Sequence, residues 1–184
     1  MTLIVNFFGG PGAGKSTLAA GTFYRLKQNH INCELVTEYA KELTWENRVD
    51  ALECQPFIFG KQLYSLERLL TKVDVIVTDS PICLSLFYKA YKYPESFSQS
   101  VIDIFNTFKN MNFFVDRGYD NYDNNGRIND ITTAKEIDTK ILKFLTDNQI
   151  SCTNIAKNYD STEIILEQIR QHLEKTQGLD TAGR

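Results

Sequence analysis

Leu3-Ile4-Val5-Asn6-Phe7-Phe8 runs directly into Gly9-Gly10-Pro11-Gly12-Ala13-Gly14-Lys15-Ser16-Thr17. The first six residues are β-formers with a single polar position, so they read as a strand feeding a special turn. Residues 9–16 satisfy G-x-x-x-x-G-K-[ST] between that strand and a predicted helix, the context in which the motif has a mechanism. Glycines let a loop wrap its N–H groups around phosphate oxygens, and the helix that follows turns its positive end toward the anion. Gly9, Gly10, Pro11, Gly12, Ala13, Gly14, Lys15, Ser16 and Thr17 are therefore expected to bind nucleotide phosphates. Lys15 is expected to reach the β and γ phosphates of ATP, and the Ser16 hydroxyl to ligate Mg2+.

Working outward, Leu18, Ala19, Thr22, Phe23 and Leu26 recur at helical spacing from Lys15 to Gln28, and Asn29 supplies a stop. A strand is expected over 32–37, mixed helical character over 38–48, and a helix from Pro56 with Phe59, Leu63, Leu66 and Leu70 as its apolar stripe. The run Val73 to Val77 is a third strand ending in Thr78-Asp79-Ser80-Pro81. Helical stretches at 84–91 and 97–109 lead to a strand at 112–115 and then to a polar segment, 116–130. Thr133 and Glu136 form a capping box that opens a helix burying Ile137, Ile141, Leu142 and Leu145. A strand at 150–156 and a helix at 162–175 complete the body. Strands alternating with helices predict an α/β, three-layer P-loop NTPase fold with a parallel sheet of about five strands. The expected organisation is one domain over residues 1–176, a lid at about 116–130, and a flexible tail at 177–184.

A length of 184 residues leaves room for one domain of ordinary core size. With a net charge of -3 there is no global attraction to nucleic acid. No run approaches the ~20 apolar residues that span a bilayer, so no membrane partner and a soluble, unprocessed chain are expected. Cys33, Cys54, Cys83 and Cys152 are widely spaced, with only His30 and His172 as imidazoles. That pattern argues against zinc or a disulfide framework and for a reducing, cytoplasmic compartment.

A phosphate loop of this kind works with a carboxylate at the end of a nearby buried strand, acting on the metal or its waters. Asp79 closes the most apolar strand and is the candidate, whereas Asp74 reads as a solvated strand start. A switch GTPase would need an N-K-x-D-like segment and a catalytic glutamine, and neither is present. An AAA-type motor would need a small helical domain after the sheet. What remains is a small kinase whose lid closes over the phosphates, with Arg117 and Arg127 stabilising charge on the transferring group. The reading from another class is a P-loop ATPase that hydrolyses ATP to drive a partner.

The loop Gly9 to Thr17, Glu38-Tyr39-Ala40-Lys41 followed by Trp45, Gln55, Phe59 to Gln62, and Thr78-Asp79-Ser80-Pro81 together carry a resemblance. The chain resembles the small P-loop kinases of the thymidylate and deoxynucleoside kinase type over most of residues 3–130. Within them it looks most like a bacteriophage-encoded group that includes 5-hydroxymethyluracil DNA kinases. The resemblance implies ATP and Mg2+, Glu38 as general base, and Trp45 shaping the cleft. It also implies a helix after Pro56 that offers glutamine and aromatic side chains to the acceptor base. At about 100° per residue, Gln55 and Gln62 flank the stripe centred on Phe59, placed to pair with a base edge while Phe59 or Tyr39 stacks on its face. Those kinases usually carry Glu-Pro where this chain has Glu38-Tyr39, and an arginine where it has Ser80. The base therefore lies between Glu38 and Asp79. The implied acceptor is nucleotide-type, foremost hydroxymethyluracil in phage DNA within a host cytoplasm. A deoxynucleoside, a deoxynucleoside monophosphate and nicotinamide riboside are the alternatives.

Overall fold

The computed structural model describes residues 1–88, 93–117 and 131–181. All six residues of β1 (Leu3–Phe8) are buried. Leu3, Val5 and Phe7 enter one apolar cluster, while Ile4 and Phe8 enter another on the opposite face, following the period-2 alternation of a strand. A strand without a wet face belongs in the middle of a sheet covered on both sides. β1 accordingly pairs in parallel with β3 (Val75–Thr78) and β4 (Lys109–Asp116). β2 (Cys33–Val36) and β5 (Thr153–Ala156) take the edges, giving the order β2-β3-β1-β4-β5. The one polar residue of β1, Asn6, donates to Oδ1 of Asn110 at 2.9 Å and of Asn112 at 3.0 Å, so its burial leaves no unpaired amide hydrogen-bond donor.

The Leu3-Val5-Phe7 face is covered by α1 (Lys15–Gln28) and α7 (Tyr159–Thr181), through Leu18, Leu26, Ile165 and Ile169. The other face is covered by α4 (Gln55–Glu67), a 3-10 segment (Ile82–Phe87), α5 (Glu95–Thr107) and α6 (Ile131–Asp147). Short α2 (Tyr39–Trp45) and α3 (Val49–Leu52) rest on α4 through Leu43, Ala51 and Ile58. This is the expected three-layer α/β fold with five parallel strands. From β1 the chain crosses to β2 on one side, and β4 lies on the other. That reversal opens a crevice at the carboxyl ends of the strands beside β1.

Local details depart from the sequence expectations. Thr133 lies inside α6 rather than at its cap, because the helix already runs from Ile131. Leu142 is 41% exposed, and Ala134 takes its place on the buried face with Ile137, Ile141 and Leu145. α7 starts earlier and runs on to Thr181, past the Lys175 where apolar spacing ended it. Its start is set by Asn158, whose Oδ1 accepts from the Ser161 amide at 2.9 Å, as an N-cap does. α4 buries Gln55, Ile58, Gln62 and Leu66, so the two glutamines lie at the centre of its inner face rather than at its border.

Candidate active site

Each strand hands one element to the crevice. β1 ends in the loop Gly9 to Gly14, β2 is followed by Glu38, β3 by Asp79, β4 by Arg117 and β5 by Lys157. The loop closes on α1 at Gly14, which takes φ 101° and there receives Leu18 N–H on its carbonyl at 3.0 Å. A Cβ at Gly14 would also lie 2.5 Å from Lys157 Cδ. The left-handed backbone favours glycine here, and a side chain would also have to displace that of Lys157.

Lys15 turns back over the loop, and its Nζ donates to Gly10 O at 3.1 Å. Ser16 Oγ donates to Asp79 Oδ2 at 2.5 Å. Asp79 is 4% exposed, and its Oδ1 is buried without a hydrogen-bond partner. A buried carboxylate oxygen is costly to leave unpaired. With the Ser16 hydroxyl beside it, the pair offers the hard oxygen donors that Mg2+ takes when phosphate oxygens and waters complete the shell. The donor set fits that ion.

Glu38 lines the same cleft. Burial pushes its carboxyl above the usual carboxylate range, the Asp79 charge adds to the shift, and Lys15 and Lys41 oppose it. Burial likewise pulls the Lys15 ammonium below the usual lysine value, against Glu38, Asp79 and Asp138, with Arg117 adding to the fall. Both groups thus share a largely desolvated space in which neither charge is comfortable, the setting in which protons and phosphoryl oxygens are handled.

A cleft of about 260 Å³ is lined by Ser16, Thr37, Glu38, Lys41, Glu42, Trp45 and Asp79. Trp45 forms its rim with 66% of its surface exposed. A larger hollow of about 490 Å³ lies at the opposite end of the sheet, around Asn110, Asn112 and His172. Its asparagines are paired with Asn6 and with backbone carbonyls. The smaller cleft is the one lined by candidate residues, Ser16, Glu38, Trp45 and Asp79.

The structure therefore brings Lys15, Ser16, Glu38, Asp79 and Trp45 together, and it relocates the other candidates. Gln62 is 3% exposed; its Nε2 donates to Thr37 O at 3.3 Å and its Oε1 accepts from Tyr39 N–H at 3.2 Å. Its amide brackets Glu38 from both sides and is not presented to an acceptor base. Gln55 donates to Leu52 O at 2.8 Å. Phe59 packs in the core edge-on to Phe97, and Tyr39 packs edge-on to Phe57 with Lys61 over both of those last two rings. A helix angle places a residue on a side; it does not say which side the neighbouring helices cover. Arg117 is bound by Asp138 and by Pro11 O, on the phosphate loop rather than reaching over it. Arg127 and the rest of the expected lid from Gly118 onward lie outside the described residues. Sequence reasoning missed Asp138 and Lys157. Lys157 was findable, since it directly follows a strand as Asp79 does; Asp138, inside an amphipathic helix, carries no signal.

Residues 4–161 match the family model described as AAA domain. The chain belongs to this AAA domain family. The matched span holds all five strands apart from Leu3, and every strand-end residue named above. The argument against an AAA-type motor from the absence of a trailing helical domain therefore does not extend to the family. Among solved structures, the AAA domain chain is similar to one described as deoxyadenosine kinase from M. mycoides with products dCMP and a flexible dCDP bound. The identity is 16%, over 94% of this chain and 99% of that one, with a TM-score of 0.45. No curated protein matches the chain. Among the described residues, no helix is long and apolar enough to cross a membrane.

Proposed function

We propose that this AAA domain protein is a kinase that transfers the γ-phosphoryl group of ATP to a hydroxyl of a nucleotide-type acceptor. The observation that supports the reading is a pair of carboxylates, Glu38 and Asp79, that line one cleft. Asp79 is engaged with Ser16 on the phosphate-loop side, and Glu38 is held separately by Gln62 in the wall that Trp45 rims. Hydrolysis alone needs no second carboxylate in a walled acceptor space.

In this reading Lys15 leaves Gly10 O for the β and γ phosphates, and Ser16 with Asp79 would hold Mg2+. That ion supplies charge neutralisation on the transferring group. Glu38 orients the acceptor hydroxyl, whose oxygen bonds to the γ phosphorus as the bond to the ADP oxygen breaks. The hydroxyl proton passes to the Glu38 carboxylate, whose proton affinity is raised by burial above that of an ordinary carboxylate. This assigns the base to Glu38 and the metal role to Asp79.

The foremost acceptor under this proposal is the hydroxymethyl group of a modified uracil in DNA, with free deoxynucleosides, their monophosphates and nicotinamide riboside as alternatives. Support for DNA is the resemblance in Glu38 to Lys41 and the open rim at Trp45, where an extruded base could enter. Against it stands the net charge of -3. The family's AAA description favours a second reading, ATP hydrolysis coupled to a partner. One panel separates them: labelled ATP and Mg2+ with each free acceptor and with hydroxymethyluracil-containing oligonucleotide, scoring label in product against free phosphate. Label in an acceptor supports the kinase. Free phosphate alone from every arm overturns it in favour of the ATPase, and equal transfer to free nucleoside without salt sensitivity removes DNA as acceptor.

A further inference from the structure

Gly10 occupies one of the four open positions of G-x-x-x-x-G-K-S, so the motif itself does not ask for glycine there. The fold does. A Cβ on Gly10 would lie 2.7 Å from Ala134 O and 2.8 Å from Asp138 Oδ1, which means that α6 is pressed against the loop with no room for a methyl group. At this contact the Gly10 N–H donates to Asp138 Oδ1 at 2.5 Å. The other carboxylate oxygen, Oδ2, accepts from Arg117 Nε at 2.9 Å and Nη2 at 2.8 Å, and Arg117 Nη1 donates to Pro11 O at 2.7 Å. The pair is largely desolvated, with side-chain exposures of 9% for Arg117 and 16% for Asp138. Charge-assisted bonds in such a place are strong, and removing one partner leaves the other charge buried and unmatched.

The Gly10 peptide is thus held at both ends, its N–H by Asp138 and its carbonyl by Lys15. If Lys15 turns to a phosphate, the carbonyl keeps only the longer bond from Ala13 N–H at 3.3 Å, and Asp138 remains the one side chain holding Gly10. We propose that Asp138 is a positioning residue for nucleotide binding. Directly at Gly10, and through Arg117 at Pro11, it holds the leading half of the phosphate loop in the shape that receives a triphosphate. This rests on the reading of the loop as an ATP site and not on the identity of any acceptor.

The test is the affinity of the full chain for a non-hydrolysable ATP analogue with Mg2+, by calorimetry well below each variant's unfolding midpoint, so that lowered stability alone does not move the result. Asp138→Asn keeps size and can still accept the Gly10 N–H, but turns an NH2 toward Arg117; it is expected to weaken binding about tenfold, the scale of one charge-assisted bond. Gly10→Ala pushes α6 and the Asp138 carboxylate away without removing a charge and is expected to weaken it at least as much. Combining Asp138→Asn with Arg117→Ala is expected to cost no more than the larger single change, since both remove one link. Unchanged or tighter binding by Asp138→Asn would overturn the proposal and mark the contact as inert or as a brake. So would unchanged binding by Gly10→Ala, the variant that decides if Asp138→Asn does not fold. Failure of the wild-type chain to bind the analogue is a different outcome, and overturns the ATP reading itself.

Discussion

Burial disfavours the Lys15 charge, and Glu38, Asp79 and Asp138 oppose that effect without cancelling it. The proposed function has the Lys15 side chain serve the phosphates rather than the core, so Lys15→Ala is expected to lower phosphoryl transfer by about 10²-fold or more with the fold retained. Transfer of label and far-UV circular dichroism measured on one preparation check both halves. The two carboxylates separate by their response to metal. Asp79→Asn weakens the oxygen set beside Ser16, so raised Mg2+ or substitution by Mn2+ is expected to recover part of its activity. Glu38→Gln removes a group that acts on the acceptor hydroxyl, which extra metal cannot orient, and no recovery is expected. The reverse pattern in kcat against metal concentration would exchange their roles.

At the scale of elements, α4 acts on the site through Gln62, whose two bonds hold the peptides on either side of Glu38 at the start of α2. Gln62→Ala opens the inner face of α4 and leaves the Thr37 carbonyl and the Tyr39 amide unpaired, at a cost of about 2–4 kcal/mol. It is also expected to lower kcat, and Gln62→Glu, which can still accept from Tyr39, is expected to retain more activity than Gln62→Ala. A loss of stability with kcat unchanged would reduce Gln62 to a core residue. The ends of helices tell a similar story. α1, α2 and α6 each close with a left-handed residue after the last turn: His30 at φ 56°, Asn47 at φ 55° and Gln149 at φ 55°. The following amide reaches back to Leu26 O, Leu43 O and Leu145 O respectively, the Schellman arrangement that glycine suits best. His30→Gly is therefore expected to stabilise the protein by about 0.5–1 kcal/mol, read as a raised denaturant midpoint at unchanged slope.

For the whole molecule, the opposed shifts of Glu38 and Lys15 make both activity and stability depend on pH. Burial raises Glu38 from the ordinary 4.5 and lowers Lys15 from the ordinary 10.5. The bell of kcat/KM against pH is therefore expected to be narrower than those two values on both sides, and Glu38→Gln should remove its acid limb. The stability effect has a definite sign. A raised folded-state pKa means that the native protein holds this proton more tightly than the unfolded chain. The contribution from Glu38 is complete below the ordinary carboxylate value and is lost as pH rises through the folded one. Above the folded-state value the ionised Glu38 therefore weakens the fold, and there Glu38→Gln is expected to be more stable than wild type. That advantage should shrink as pH falls toward 4.5 and below. Denaturant titrations at several pH values, set beside the transfer assay, would show stability exchanged for activity at one residue.

What the sequence determined by itself is what short-range chemistry can encode. Residues 9–16 are contiguous, and the chemistry expected of them uses only backbone N–H groups and a helix end, so eight letters between a strand and a helix point to both the loop and the parallel α/β body around it. Asp79 was legible for the same reason, as the last residue of an apolar run beside that loop. Only the tertiary structure decided the rest of the cleft. Gln55 and Gln62 read as border residues because periodicity reports an angle around α4, while the packing of α2 and α3 decides which side is covered and which amides are already paired. Asp138 was invisible because its partner Gly10 lies 128 residues away in the chain. No local pattern distinguishes a carboxylate facing water from one that a folded neighbour will press against a phosphate loop, since that difference arises only when helix and loop pack together and lose their water.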